Sequence, residues 1–378
     1  MNYCRICILP DTRPNLRIDG KGNCNCPASA RAPRIDWRRR KAAWEKLVRE
    51  TRARKAPYDC VIPVSGGKDS TWQVLTALRW KLRPLAVTWK SPARNALGEA
   101  NLQNLIGLGV DHIDFTINPK VEKKFTWKAF EKFGSPAIPM HMALHAIPLR
   151  VAVNYRIPLI LWGENSAYEY GGDEDKNLKG TQLTPEWFRR YGVTHGTRAE
   201  DWAGPGLTLE ELTPYRFPSV RELQRHPVRA VFLGQFFPWD PLKTFEVSQR
   251  QGFQAAPKPK TGLYKFADID DSFLITLHHW MKWYKFGFTR LWDNLSQEIR
   301  RGRMSRAEAI RVVKSHGEEI PLREIHAFCR YVGVSPRRFL QVAEKFRNRK
   351  IWERDDRGRW ILRGFLIPGW SWRKGVTS

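Results

Sequence analysis

The chain has 378 residues, 42% of them hydrophobic and 12% aromatic, with a formal net charge of +27. This composition supplies a core and excludes a disordered chain, and the length suggests two or three domains. The most apolar stretch, 146–163, is interrupted by Arg150 and Arg156 and no apolar run follows the first residues, so neither a membrane span nor a secretory leader is expected and a cytoplasmic enzyme is.

In chain order, the first feature is a cysteine cluster. Cys4-x-x-Cys7 is followed by Cys24-x-Cys26, with Pro10, Pro14, Gly20 and Gly22 marking turns between the pairs. Four thiolates so spaced suit one tetrahedral Zn²⁺, provided the backbone bends between Cys24 and Cys26; four free thiols are the alternative. A zinc knuckle is expected over 1–30. Residues 31–56 form a basic linker, with a helix over 36–54 whose apolar seam is Trp44, Leu47 and Val48. Its charge suits a polyanion or an acidic partner, and equally a solvated helix face.

The most informative stretch is Cys60-Val61-Ile62-Pro63-Val64-Ser65-Gly66-Gly67-Lys68-Asp69-Ser70-Thr71. A β-type run enters a glycine pair, and Trp72, Val74, Leu75 and Leu78 then follow helical spacing. Strand, tight loop and helix N-terminus make an anion site. Glycines let backbone N–H groups approach a phosphate, and the helix dipole adds its positive end. Lys68 supplies a mobile cation, Ser65 and Ser70 hydroxyl donors, and Asp69 either a helix cap or a Mg²⁺ ligand. A Walker A loop is excluded, because Ile62 stands where its first glycine belongs and Asp69 follows the lysine. Ser-Gly-Gly-Lys-Asp-Ser instead resembles the PP-loop of ATP pyrophosphatases, which implies a grip on the β- and γ-phosphates of ATP.

Downstream, strands at 85–89, 112–115 and 158–162 alternate with helices at 98–108, 120–132 and 142–155. This pattern predicts an α/β fold, a parallel Rossmann-like sheet covered on both faces, with ligands at the carboxyl ends of its strands. Val87 and Thr88 then join the loop as ATP-binding candidates, and Gly163-Glu164-Asn165 lies at the same edge. Glu164 is a second Mg²⁺ candidate or an ordinary strand-end acid. Residues 166–265, rich in Pro, Gly and aromatics, read as a substrate-side insertion that completes a PP-loop domain over 57–270. A helical region follows over 271–378, with a capping box at Ser305/Glu308 and helix starts at Pro321 and Ser335-Pro336. Cys60 reads as a small core residue.

Beyond the loop, the chain resembles the N-acetyl sugar amidotransferase family of surface-polysaccharide biosynthesis. The resemblance runs over roughly residues 1–350. It is carried by residues 3–14, by Gly109-Val110-Asp111-His112-Ile113, by 147–153 around Arg150, and by Trp162-Gly163-Glu164-Asn165 and Glu169-Tyr170-Gly171-Gly172. It continues at Phe237-Pro238-Trp239-Asp240, Lys285-Phe286-Gly287-Phe288 with Arg290 and Asp293, and 301–306. Pro139-Met140-His141-Met142 departs from the family, whose members often carry cysteines there.

The resemblance implies conversion of an acetamido group on a nucleotide-linked sugar to an acetamidino group, in lipopolysaccharide O-antigen or other surface-glycan synthesis. ATP adenylates the amide oxygen, pyrophosphate leaves, and ammonia displaces AMP. Lys68 and Asp69 are the catalytic candidates. Arg150, Glu164, Asn165, Glu169 and Tyr170 are the substrate-binding candidates, with a structural ion pair as the other reading of Arg150. No Gly-x-Cys-x-Gly elbow is present and Asn2 follows Met1, so ammonia is expected from a separate glutaminase subunit, similar to that of imidazole glycerol phosphate synthase. A PP-loop enzyme that adenylates a tRNA base is the alternative, and only that reading has nucleic acid as a partner. It lacks a sulfur carrier, since Cys329 is the sole cysteine after the loop.

Overall fold

A computed structural model describes residues 1–26, 35–163, 187–189, 192–316 and 320–367. Its centre is a five-stranded, wholly parallel sheet in the order β3-β2-β1-β4-β5. The strands are β1 (Cys60–Pro63), β2 (Pro84–Trp89), β3 (Asp111–Phe115), β4 (Leu159–Trp162) and β5 (Arg229–Phe232). Helices α1 (Trp37–Ala53), α2 (Lys68–Arg79), α3 (Ala96–Ile106), α4 (Pro119–Phe133) and α5 (Ile138–Asn154) accompany the first four strands.

Alternate strand residues serve two cores, as the two-residue period of a strand requires. Val61, Leu85, Val87 and Ile160 pack toward α5 with Ala143 and Ile147. Cys60, Ile62, Ala86, Leu159 and Leu161 pack the opposite way, with Trp72, Val74 and Ala77 of α2 and with Trp44, Leu47 and Val48 of α1. Helix α1 starts where Asp36 accepts the Arg39 amide at 3.0 Å. Both faces are thus covered and the sheet is doubly wound, with its switch point between β1 and β4.

The region from 187 onward contains more regular structure than its composition suggests. Strand β5 was not legible: Arg229 is exposed, and only Val231 and Phe232 of its four residues are buried. Helices α6 (Val220–Arg225) and α7 (Pro241–Gln249) follow, then α8 (Leu274–Phe286), α9 (Arg290–Arg300), α10 (Arg306–His316), α11 (Leu322–Val332) and α12 (Pro336–Lys345). Ser305 and Glu308 exchange both bonds of a capping box. The expected helical region closes instead in an antiparallel hairpin, β6 (Trp352–Arg354) with β7 (Trp360–Leu362).

The N-terminal segment packs on these helices. Arg13 Nε donates to Asp293 Oδ1 at 2.9 Å, Thr12 Oγ1 to the Phe286 carbonyl at 2.5 Å, and Arg306 Nε to the Cys4 carbonyl at 3.3 Å. No helix among the described residues is long and apolar enough to cross a membrane.

Candidate active site

The loop between β1 and α2 lies at the switch point. Val64 N–H extends the ladder to the Val87 carbonyl at 2.9 Å, and the chain then turns through Gly66 at φ +84°. A Cβ on Gly66 would stand 2.6 Å from the Leu102 amide nitrogen, so α3 approaches closely enough to exclude any side chain. Gly67 is the N-cap of α2 and provides no side-chain cap. The first amides of α2 therefore keep the unsatisfied donor character of a helix start, which suits an anionic phosphate.

Lys68 is buried, and its Nζ lies 2.5 Å from Asp69 Oδ2 and 5.4 Å from the ring centroids of Trp239 and Phe266. The other carboxylate oxygen, Asp69 Oδ1, accepts from Trp239 Nε1 at 3.0 Å and Thr244 Oγ1 at 3.2 Å. Ser248 Oγ donates to the Lys68 carbonyl at 2.7 Å. Two members of α7 thus hold the loop's own first turn. Ser70 Oγ is turned back to the Gly67 carbonyl at 2.9 Å, and Ser65 Oγ accepts the Gly67 amide at 3.3 Å. Asp69, at the start of α2, is a carboxylate that could hold a Mg²⁺ ion once phosphate draws Lys68 away from it.

The C-terminal helices reach the same place. Asp240 caps α7 through the amides of Leu242 and Lys243, and its Oδ2 takes Arg303 Nη1 at 2.5 Å. Arg303 also binds both oxygens of Glu298, at 2.7 and 2.6 Å. The Arg301 guanidinium lies 5.4 Å from the Trp239 centroid. The segments 237–240 and 301–303, far apart in sequence, therefore form one wall beside the loop.

Other candidates are placed differently. Val87 is in the core, contributing its carbonyl alone to the loop, and Thr88 Oγ1 is 2.8 Å from His112 Nε2 on β3. Arg150 binds the Arg216 carbonyl at 3.1 Å and Glu222 at 3.7 Å. It lies five residues beyond His145 in α5, about 7.5 Å further from the loop's edge at 1.5 Å per residue. At the end of β4, Gly163 is approached by Gln73 of α2. Glu164, Asn165, Glu169 and Tyr170 lie outside the described residues.

Sequence reasoning missed an acid and histidine group over this edge. The segment before α8 reaches the loop at Phe266, whose ring lies 5.4 Å from Lys68 Nζ, and the Asp270 carbonyl accepts the Asn95 amide at 3.1 Å. Asn95 Nδ2 and Ser272 N–H clip the segment to the loop after β2, through the carbonyls of Ile269 at 2.7 Å and Ala93 at 2.6 Å. Asp268 faces His279, and the His278 ring lies 6.1 Å from that of His141. His145, one turn along α5, stacks on Trp162 at 4.7 Å, at the carboxyl end of β4. Burial, before any charge effect, pushes His141 down to about 3 and His145 to about 4. The available signals were the Asp268-Ile269-Asp270-Asp271 run and the His278-His279 pair, neither of which has a diagnostic spacing.

At the N-terminus, the sulfur atoms of Cys4, Cys7 and Cys24 lie within 4.8 Å of one another, and Cys7 and Cys24 are 3.6 Å apart. Tetrahedral thiolates about 2.3 Å from zinc stand roughly 3.8 Å apart, so the set fits the ion. Cys4 Sγ accepts the amides of Cys7 at 3.4 Å and Cys24 at 3.2 Å. Hydrogen bonds from Cys24 and then Cys7 hold the Cys4 thiol far below its ordinary range. Cys26 is buried but lies outside this set of three sulfurs.

Comparison with known proteins finds that residues 261–364 match the family described as "LPS biosynthesis protein WbpG-like, C-terminal domain". This agrees with the family resemblance of the sequence. Curated proteins give no match. Among solved structures, similarity is found to a predicted subunit of tRNA methyltransferase from Methanocaldococcus jannaschii, at 15% identity and a TM-score of 0.27, covering 50% of this chain and 75% of that one. A second is the NMN synthetase from Francisella tularensis, also at 15% identity, with a TM-score of 0.26 and coverage of 60% and 99%.

Proposed function

We propose that the protein is the synthetase component of an ATP-dependent amidotransferase, which turns the acetamido group of a nucleotide-linked sugar into an acetamidino group for surface-glycan synthesis. The observation that carries this reading is the Ser65–Ser70 loop at the sheet's switch point, walled by a C-terminal region that matches a lipopolysaccharide-biosynthesis family.

An amide is a poor electrophile, and placing AMP on its oxygen creates a leaving group that neutral ammonia can displace. The protein's part is positioning and charge neutralisation. The N-terminal amides of α2 and Lys68 take the phosphates that depart as pyrophosphate. Asp69, freed from Lys68, would hold a Mg²⁺ ion whose charge would screen them, and Trp239 with Thr244 keeps that carboxylate oriented. Cys4, Cys7 and Cys24, joined by Cys26, would hold a structural zinc ion. Ammonia comes from a separate glutaminase subunit, for which the exposed basic face of α1, including Arg38, Arg39, Lys41, Lys46 and Arg49, is a docking candidate.

The domain division at 30, 56 and 270 and a cytoplasmic location belong to the same reading. Against the tRNA thiolation alternative, Cys60 and Cys329 are both buried in core clusters and neither is exposed beside the loop.

The test is mass spectrometry of a nucleotide-sugar pool containing diacetamido sugars, incubated with protein, ATP, Mg²⁺ and ¹⁵N-ammonium, which bypasses the glutaminase. Label in an acetamido sugar with AMP formed, absent in Lys68→Ala, is expected. An unlabelled pool overturns the reading.

A further inference from the structure

His279 stands in α8 with 8% of its surface exposed. Its Nε2 lies 3.4 Å from Asp268 Oδ2, while its Nδ1 is buried with no hydrogen-bond partner. A carboxylate beside one ring nitrogen favours the tautomer with its proton there, and leaves a lone pair on the other. A buried polar atom without a partner is costly and calls for an explanation, which a catalytic role supplies here. Asp268 is fastened in turn by Thr261 Oγ1, and it is two residues from Phe266, whose ring lies 5.4 Å from Lys68 Nζ of the loop. The imidazole is therefore connected to the phosphate loop through one short segment, on the side where β4 ends.

We propose that His279, oriented by Asp268, is the catalytic residue that relays the proton when ammonia attacks the adenylated substrate. The proposal rests on the function read above. In this step the ammonia nitrogen bonds to the former amide carbon, and the bond from that carbon to the AMP oxygen breaks, its electron pair leaving with AMP. One ammonia proton passes to His279 Nδ1 and then to the sugar-linked nitrogen, giving the amidinium. No external acid, base or oxidant is consumed.

The surroundings keep the ring neutral and ready to accept. Burial first, and then Lys282 on the same helix, lower His279 to about 4, against the pull of Asp268; Arg290 from α9 adds to the lowering. His278 beside it and His141 from α5 are held neutral chiefly by burial. Burial alone would raise the Asp268 carboxyl, but the hydrogen bonds from His279 and Thr261, with the Arg290 charge, hold it below the carboxylate range. An imidazolium formed here is a strong acid, and it yields its proton readily to the basic amidine nitrogen.

Two half-reactions test this in the full chain with an accepted acetamido sugar. ATP–pyrophosphate exchange reports adenylation, and ammonium-dependent amidine formation reports the attack. For His279→Ala we expect exchange within about twofold of the unmodified protein and amidine formation reduced about 100-fold or more. Added imidazole should restore part of the loss. Asp268→Asn should lower amidine formation while keeping exchange. Unchanged amidine formation in His279→Ala overturns the proposal. So does an equal fall in both half-reactions, which a merely structural histidine would give. Absence of sugar-dependent exchange in the unmodified protein overturns the parent reading instead.

Discussion

The indole N–H of Trp239 donates to Asp69 Oδ1 at 3.0 Å, and this bond ties the start of α7 to the first turn of the phosphate-binding helix. Because Lys68 takes the other oxygen of the same carboxylate, the loop's acid is oriented from both sides. A hydrogen bond to a charged group contributes about 1.5–3 kcal/mol.

Trp239→Phe keeps most of the ring over Lys68 and removes the donor alone. We expect ATP–pyrophosphate exchange to fall roughly tenfold, the rate equivalent of about 1.4 kcal/mol, with the melting temperature nearly unchanged. Exchange at the unmodified rate would show that Thr244 alone orients Asp69.

The two loop glycines should respond differently to alanine. At Gly66 the added methyl meets the α3 backbone and the φ of +84° is strained for any L side chain, whereas Gly67 has φ −69° and meets only Ser65 Oγ at 3.2 Å. Gly66→Ala is expected to cost about 2–4 kcal/mol of stability and to abolish ATP binding. Gly67→Ala should fold, since Gly-to-Ala changes at compatible positions are benign. Denaturant titration and calorimetric titration with ATP separate these outcomes; equal melting of the two variants contradicts the steric account.

Elemental analysis should find one zinc per chain, and Cys4→Ser or Cys24→Ser should lose it. Thiolate ligands must be deprotonated to bind, so the metal should leave as pH falls, and chelation should lower the melting temperature. The knuckle carries Arg13, which pairs with the buried Asp293, so loss of zinc should loosen α9 as well. A metal-free protein of undiminished stability would remove zinc from the description.

Glu122 is buried and accepts from Trp89 Nε1 at 2.9 Å, and burial raises its carboxyl to about 7. A folded-state pKa above the unfolded value means that the native protein holds the extra proton. Its contribution is full below about pH 4.5 and is lost as pH rises toward 7. Glu122→Gln should therefore gain on the unmodified protein with rising pH, by about 1–3 kcal/mol at pH 8. Melting curves at pH 5 and pH 8 that differ by the same amount in both proteins would refute this.

Local pattern made β1, the loop and α2 legible, because an apolar run, a glycine pair and a helical seam each constrain the chain within a few residues of themselves. The cysteine pairs were legible for the same reason: metal ligands need close spacing. The helix start at Ser335-Pro336 likewise follows from cap chemistry written in adjacent residues.

Tertiary structure alone decided which distant residues wall the loop. Nothing in the sequence pairs Asp240 with Arg303 or aims Asp268 at His279, since such contacts have no periodicity and depend on how α7, α8 and α9 pack. Arg150 sat in a motif yet is engaged with Glu222 and the Arg216 carbonyl, further along α5 from the loop. Strand β5 escaped notice because an edge strand of four residues with one exposed arginine has too little apolar pattern to read, and only pairing with β4 makes it a strand. Short-range steric and capping preferences are written in neighbouring residues, whereas the site's second wall depends on packing between elements far apart in the chain.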